Sequence, residues 1–265
     1  MRTNLIMTNM PDNAIFGKHQ IKPGEHRLFS SEQFTLGAQR KKEGWVLLYP
    51  EYFTAGDTEE PDFEQGEYFQ TGKSNSLLIV PALPEKPLVF KGSKLHVSPG
   101  QKLTFFLNIP LTIQVYFSKI IPENLMKEFP TQRLSDTWFG DPFGGEPAFS
   151  IGSGFFMTPE EAIPSPFESI CPVTIHNNSP GMLEVERLII RLENMALYQN
   201  NGNIVTSLLL VEYRGKEVIS SATYHYSKSF HGEQAELVTK PRSESTRNLL
   251  KINFHFIKNL YKQEL

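Results

Sequence analysis

Apolar residues along this chain come in short runs and in alternations, separated by turn residues. Between positions 77 and 118 the runs are LLIV (77–80), LVF (88–90), KLHV (94–97), KLTFFLNI (102–109) and LTIQVYF (111–117). In the last of them Leu111, Ile113, Val115 and Phe117 alternate with Thr112, Gln114, Tyr116 and Ser118. A period of two is that of a strand with one buried face. Earlier, WVLLY (45–49) reads as a strand closed by Pro50; later, 149–156, CPVTIH (171–176), 204–213, 218–226 and the alternation of Ile252, Phe254 and Phe256 read likewise. Residues 183–197 fit two periods. Val185, Leu188, Ile189, Leu192 and Met195 would align on a helix, whereas a strand needs a bulge to bring Leu183 and Val185 into phase with Leu188, Ile190 and Leu192. The hairpin signal Asn200-Asn201-Gly202-Asn203 that follows favours the strand.

Helical signals are few. A short helix is predicted over Ile121–Phe129, with Pro122 at its start and Pro130 as its stop. Thr158-Pro159-Glu160-Glu161 has the form of a capping box, and Ile257, Leu260 and Tyr261 suit a terminal helical turn. Turn signals at intervals of about ten residues are those of a sandwich or barrel. The fold class is therefore all-β: two packed β-sandwich, immunoglobulin-like domains with short helices in the connections. Their bounds are set at 15–158 and 166–265, divided by the proline-rich span at 159–166; one large sandwich also fits the strand count.

Composition narrows the class further. With 265 residues, 39% hydrophobic and 21% charged, the chain can bury a sizeable core as a soluble globular protein. A formal charge of −3 gives no basic footprint for nucleic acid. The densest basic run, Arg40-Lys41-Lys42, reads as a solvated loop. No run approaches the length of a membrane helix, and the first ten residues lack a signal-peptide core. Cys171 is the single cysteine, which rules out an internal disulfide framework and leads to the expectation of a cytoplasmic protein.

Several reactive arrangements fail on spacing. The acidic stretch 57–67 holds six acids but lacks the alternation and the glycine placement of an EF-hand loop. Five residues separate Gly66 from Gly72 before Lys73-Ser74, one too many for a P-loop, and a strand follows instead of a helix. Ser153 has Ile151 where a nucleophile elbow needs glycine. Cys171 and His176, five apart, would point to opposite faces of one strand, and no two histidines fall at a metal-ligand spacing.

The distinctive stretch is Leu134–Ile151, LSDTWFGDPFGGEPAFSI. It combines Trp138 and Phe139 with Asp136, Asp141 and Glu146 around Gly140, Gly144 and Gly145. Glycine permits the positive φ angles of a tight turn. Three uses of it are open. As a binding loop for a protein partner or small ligand it would present Trp138, Phe139, Asp141 and Glu146. As a divalent-cation site in a metal-dependent hydrolase it would use Asp136, Asp141 and Glu146; as a carbohydrate-binding module it would stack Trp138 and Phe139 on sugars. The plain alternative is structural, with Asp141 capping the turn and the rings plugging the core. The first reading, non-catalytic and without a cofactor, is preferred; oligomeric state is not legible.

Trp138-Phe139-Gly140-Asp141-Pro142, Gly145-Glu146 and Phe149, together with Cys171-Pro172, Ile175, Asn177, Ser179, Arg187-Leu188 and Leu197-Tyr198, resemble a family of prokaryotic proteins called domain of unknown function 432 (DUF432). The likeness spans about residues 77–225 and departs from the family pattern at Phe143, Pro147 and Phe149. It implies no activity, cofactor or site residue.

Overall fold

The computed structural model describes residues 15–31, 34–49, 61–140, 142–162, 164–200, 202–215 and 221–243. Among them the chain is all-β, with strands in four sheets, one 3-10 turn and one four-residue helix. It splits into two compact units, Met1–Ala82 with Thr112–Gln132, and Leu83–Leu111 with Arg133–Leu265. These units interleave along the chain, whereas the sequence places its division at 159–166. The cause is visible at Leu111. The strand before it pairs in the second unit and the strand after it pairs in the first, so one interruption at Pro110-Leu111 sends neighbouring strands to different sheets.

The first unit holds two antiparallel sheets. One has the order β1 (Gly17–Gln20), β6 (Ser76–Ala82), β9 (Thr112–Phe117), β10 (Leu125–Pro130); the other runs β2 (His26–Ser30), β3 (Thr35–Arg40), β4 (Gly44–Leu48), β5 (Glu67–Gln70). Leu36, Ala38, Trp45, Leu47, Leu77, Ile79, Ile113 and Val115 are buried. The alternation in β9 predicts one buried face, yet Thr112, Gln114 and Tyr116 are buried too. Glu128 on β10 makes this tolerable by accepting from Thr112 Oγ1 at 3.0 Å and Gln114 Nε2 at 2.7 Å, while the Tyr116 hydroxyl donates to Gln114 Oε1 at 2.8 Å. Arg40 is also buried rather than solvated. Its guanidinium donates to Asn75 Oδ1 and to the carbonyls of Lys41, Gly44 and Gly72, and lies 5.4 Å from the Trp45 ring.

The helix expected over 121–129 is limited to a 3-10 turn at Pro122–Asn124, after which the chain becomes β10. Met126 and Phe129, three apart, mimic a helical stripe. A register shift between Leu125 and Lys127 lets both be buried from a strand.

The second unit also has two sheets. One runs β11 (Ser135–Phe139), β12 (Glu146–Ile151), β7 (Leu88–Val97), β14 (Leu183–Ile190). In the other, β13 (Glu168–Asn177) pairs with β8 (Lys102–Pro110), β16 (Asn203–Thr206) and β17 (Leu208–Tyr213). That sheet continues to β18 (Ser221–His225) on one side and through β15 (Leu197–Asn200) to β19 (Glu236–Thr239) on the other. LVF and KLHV are one strand, β7. The 183–197 ambiguity resolves as a strand with its bulge, a register shift between Val185 and Arg187, and Asn200 pairs with Asn203 across the hairpin. Asn177 stitches the turn after β13, donating from Nδ2 to the Val97 and Gly181 carbonyls, both at 2.8 Å, and accepting the Ser179 amide and hydroxyl on Oδ1.

At 158–161 no helix forms, although Thr158 Oγ1 still accepts the Glu161 amide at 3.3 Å and Glu161 Oε2 that of Met157 at 3.0 Å. The surrounding prolines leave no room for the turns that would offset helix nucleation. The only described α-helix is α1 (Lys228–His231), and among the described residues no helix is long and apolar enough to cross a membrane. The strand and helical turn predicted at 252–261 lie outside the described residues.

Candidate functional site

The 134–149 stretch is a β-hairpin more than a loop. β11 and β12 pair antiparallel from Ser135↔Ser150 to Phe139↔Glu146, leaving only 140–145 as the turn. Two glycines are required there by space. A Cβ on Gly140, whose φ is +120°, would strike the Gly145 backbone, and one on Gly145 would come within 2.7 Å of the Phe139 carbonyl oxygen and collide with the Trp138 indole nitrogen. Trp138 thus rests against Gly145, an aromatic ring covering bare backbone at the end of the turn.

Strand alternation sorts the side chains onto two faces. Phe139, Glu146 and Ala148 share one, and contacts from β14 and the residue just beyond it hold that face. Phe139 is 4% exposed with the Arg187 guanidinium 5.1 Å from its ring centre. Glu146 is ion-paired with Arg191, whose side chain is 5% exposed against 29% for the glutamate. Arg187 also donates from Nη2 to the Trp138 carbonyl at 2.9 Å. On the opposite face lie Asp136, Trp138, Pro147 and Phe149. Trp138 is 46% exposed, Pro147 is exposed, and the Lys86 ammonium sits 2.9 Å from Asp136 Oδ1 and 4.8 Å from the Phe149 ring centre.

This geometry redistributes the predicted site residues. Asp136 and Glu146 leave opposite faces near opposite ends of the hairpin, and each already faces a cation, so the fold does not bring these two carboxylates to one point. Asp141 lies outside the described residues. Among the described residues no group of three or more His, Cys, Asp or Glu side chains is placed to hold a metal ion. Phe139, named with Trp138 as a sugar-stacking ring, is buried under Arg187 and has no face to offer. Of the candidate binding residues, Trp138 alone is an exposed ring.

A residue outside that set is more exposed than Trp138, Phe139 or Glu146. Phe143, in the turn, is 99% exposed, the most exposed large hydrophobic side chain among the described residues. Its signal in the sequence was present, a phenylalanine between Pro142 and Gly144 where a turn favours small or polar residues. By contrast Lys86, Arg187 and Arg191 carried none, because each stands dozens of residues from its partner.

The weak nucleophile candidates are inert by position. Cys171 is fully buried, and loss of hydration pushes its thiol up to about 12, with a side-chain interaction with Thr206 opposing the shift. His176 points to the other face of β13, with Nδ1 at 3.0 Å from Glu212 Oε2.

A family model described as "Protein of unknown function (DUF432)" matches residues 15–258. No curated protein and no solved structure matches. With nearly its whole length covered by that match, the chain belongs to the DUF432 family of proteins of unknown function.

Proposed function

We propose that this chain is a non-catalytic β-sandwich protein that binds a protein partner through the β11–β12 hairpin, with Phe143 as the inserted anchor and Trp138 beside it. One observation carries the reading: a phenylalanine 99% exposed at the tip of a hairpin whose base is held rigidly. Leaving a large apolar side chain in water forgoes about 1.5–3 kcal/mol of burial energy. A partner pocket would recover that, and aromatic anchors dominate interface energetics. The base supports preorganisation: Phe139 is in the core, Glu146 is clamped to Arg191, and Gly140 and Gly145 bring the two arms together. Hairpin arms ordered in advance lose little entropy on docking.

The hydrolase reading gains no support from carboxylates that point apart. The sugar-binding reading keeps Trp138 but not Phe139. A photoreactive benzoylphenylalanine in place of Phe143, with the same residue at exposed Lys94 as control, tests the proposal in the cells that make the protein. A discrete cross-linked species at 143, absent at 94 and displaced by excess unmodified protein but not by Phe143→Ser, is the expected result. Identical patterns at the two positions would sink the proposal.

A further inference from the structure

Three connections of the first unit converge, residues 21–25, 40–44 and 71–75, and a buried arginine ties them together. Gly24 N donates to the Arg40 carbonyl at 2.8 Å and Ile21 N to that of Asn75 at 3.1 Å, while Thr71 N and Gly72 N both donate to the Glu43 carbonyl, at 3.1 and 3.0 Å. Inside this frame the fully buried Arg40 side chain donates to Asn75 Oδ1 at 3.2 Å and to the carbonyls of Gly44 at 2.6 Å, Gly72 at 2.8 Å and Lys41. All four acceptors are neutral. A guanidinium keeps its charge in such a setting, and a buried charge is screened far less than an exposed one.

Planar trans peptides carry the consequence to the surface. A carbonyl turned in toward Arg40 turns the amide of the next residue the other way. The Lys42 and Lys73 amides, which follow the carbonyls of Lys41 and Gly72, therefore point away from the guanidinium, and neither has an acceptor among the described residues. Gly72 gives its amide to Glu43 and its carbonyl to Arg40 at a φ of +76°, which suits glycine. Thr71 Oγ1 beside it is buried with no hydrogen-bond partner. Lys22, Lys41, Lys42 and Lys73 are exposed, and none of them is ion-paired among the described residues. With Arg40 these three connections hold five cations against two carboxylates, Glu25 and Glu43, on a chain whose formal charge is −3.

Outward peptide N–H groups beside ammonium heads make an anion-binding nest. We propose that these loops bind a soluble, phosphate-bearing small molecule, the Lys42 and Lys73 amides donating to phosphoryl oxygens while the lysines neutralise the charge. The donors come from two loops and need several acceptors. A phosphate group offers three oxygens and a charge of about −1.5 to −2 at pH 7, whereas a carboxylate offers two oxygens and a single charge. In a P-loop a helix N-terminus supplies the field behind the phosphate; here strand β6 follows Thr71-Gly72-Lys73-Ser74, and Arg40 takes that place. This site belongs to the first unit and the β11–β12 hairpin to the second, so the two readings stand independently.

The test is a titration of the ¹⁵N-labelled full chain with inorganic phosphate and with pyrophosphate at constant ionic strength, beside potassium chloride and acetate. The Lys42 and Lys73 amide resonances should shift saturably with the phosphates and not with the control salts, while the Phe139 and Phe143 amides stay still. Lys42→Gln combined with Lys73→Gln, both at exposed positions, should weaken binding at least about tenfold, the worth of one hydrogen bond to a charged group. Vesicles of phosphatidylcholine with and without phosphatidic acid separate a free ligand from a lipid headgroup, and co-sedimentation with neither is expected. The inference is overturned if neither phosphate moves the two amides, if chloride or acetate moves them equally, if the double variant binds as tightly as the wild type, or if the chain co-sediments with the phosphatidic acid vesicles. None of these outcomes bears on the cross-link at position 143, which tests the hairpin alone.

Discussion

Glu146→Gln separates a structural carboxylate from a metal-binding one. The substitution keeps the size and a hydrogen-bond acceptor but removes the charge facing Arg191, whose side chain is 5% exposed. Breaking a fully buried ion pair costs about 3–5 kcal/mol, and an exposed one about 0–1 kcal/mol. Glu146 keeps 29% of its surface in water, so screening and the residual hydrogen bond place the cost between these, at about 2 kcal/mol. For a chain of this size that lowers the unfolding midpoint by roughly 4–8 °C. Thermal unfolding followed by near-ultraviolet circular dichroism, with chelator and with Ca²⁺, Mg²⁺, Mn²⁺ or Zn²⁺ in turn, should give the same drop in every condition. In a double-mutant cycle with Arg191→Met the two losses should be strongly non-additive, since either substitution alone dissolves the pair. The reasoning is refuted if Glu146→Gln leaves the midpoint unchanged. It is equally refuted if chelator alone destabilises the wild type and Glu146→Gln abolishes that response, because the carboxylate would then be serving a cation.

Three further outcomes follow from the geometry. Gly145→Ala should expel the Trp138 indole from its seat and cost about 1–3 kcal/mol, seen as a red-shifted, more acrylamide-quenchable tryptophan emission; unchanged quenching would contradict the close approach. Cys171 in the native protein should resist a thiol reagent at pH 8 and react only at the rate of unfolding, so rapid native labelling would count against its burial. Burial holds the His19 imidazole below its ordinary 6.5, with Arg27 adding to the effect and a 2.9 Å hydrogen bond to the Ile15 carbonyl opposing it. The unfolded chain therefore takes up this proton first. The stability contribution is complete above pH 6.5 and is lost as pH falls through the depressed folded value. His19→Gln should flatten the denaturation free energy over the range just below pH 6.5, and an undiminished slope would show that another group is responsible.

Much of the architecture was legible along the chain because it depends on local alternation and turn chemistry. The all-β class, β6 to β9, the bulge in β14 and the Asn200–Asn203 hairpin all follow from the period of apolar residues and from residues suited to particular backbone angles. Where a local pattern had two solutions, pairing decided. Pro122 and Pro130 bracketed a helix on paper, but a strand with a bulge buried Met126 and Phe129 and also met the backbone hydrogen-bonding needs of β9. In β9 itself the polar positions marked a solvent face, and only the arrival of Glu128 from β10 let that face be buried.

The candidate site divides in the same way. The sequence by itself determined that 134–151 holds a tight turn with aromatic and acidic side chains, because glycine and proline constrain the backbone wherever they stand. Tertiary structure alone decided the role of each residue. Phe139 and Trp138 are neighbours of similar chemistry, yet strand alternation puts one under Arg187 and leaves the other half in water. Asp136 and Glu146 look alike on paper, yet Lys86 and Arg191 arrive at them from 50 and 45 residues away. Burial and charge neutralisation are set by what the rest of the chain brings alongside, and that information is carried by no local stretch.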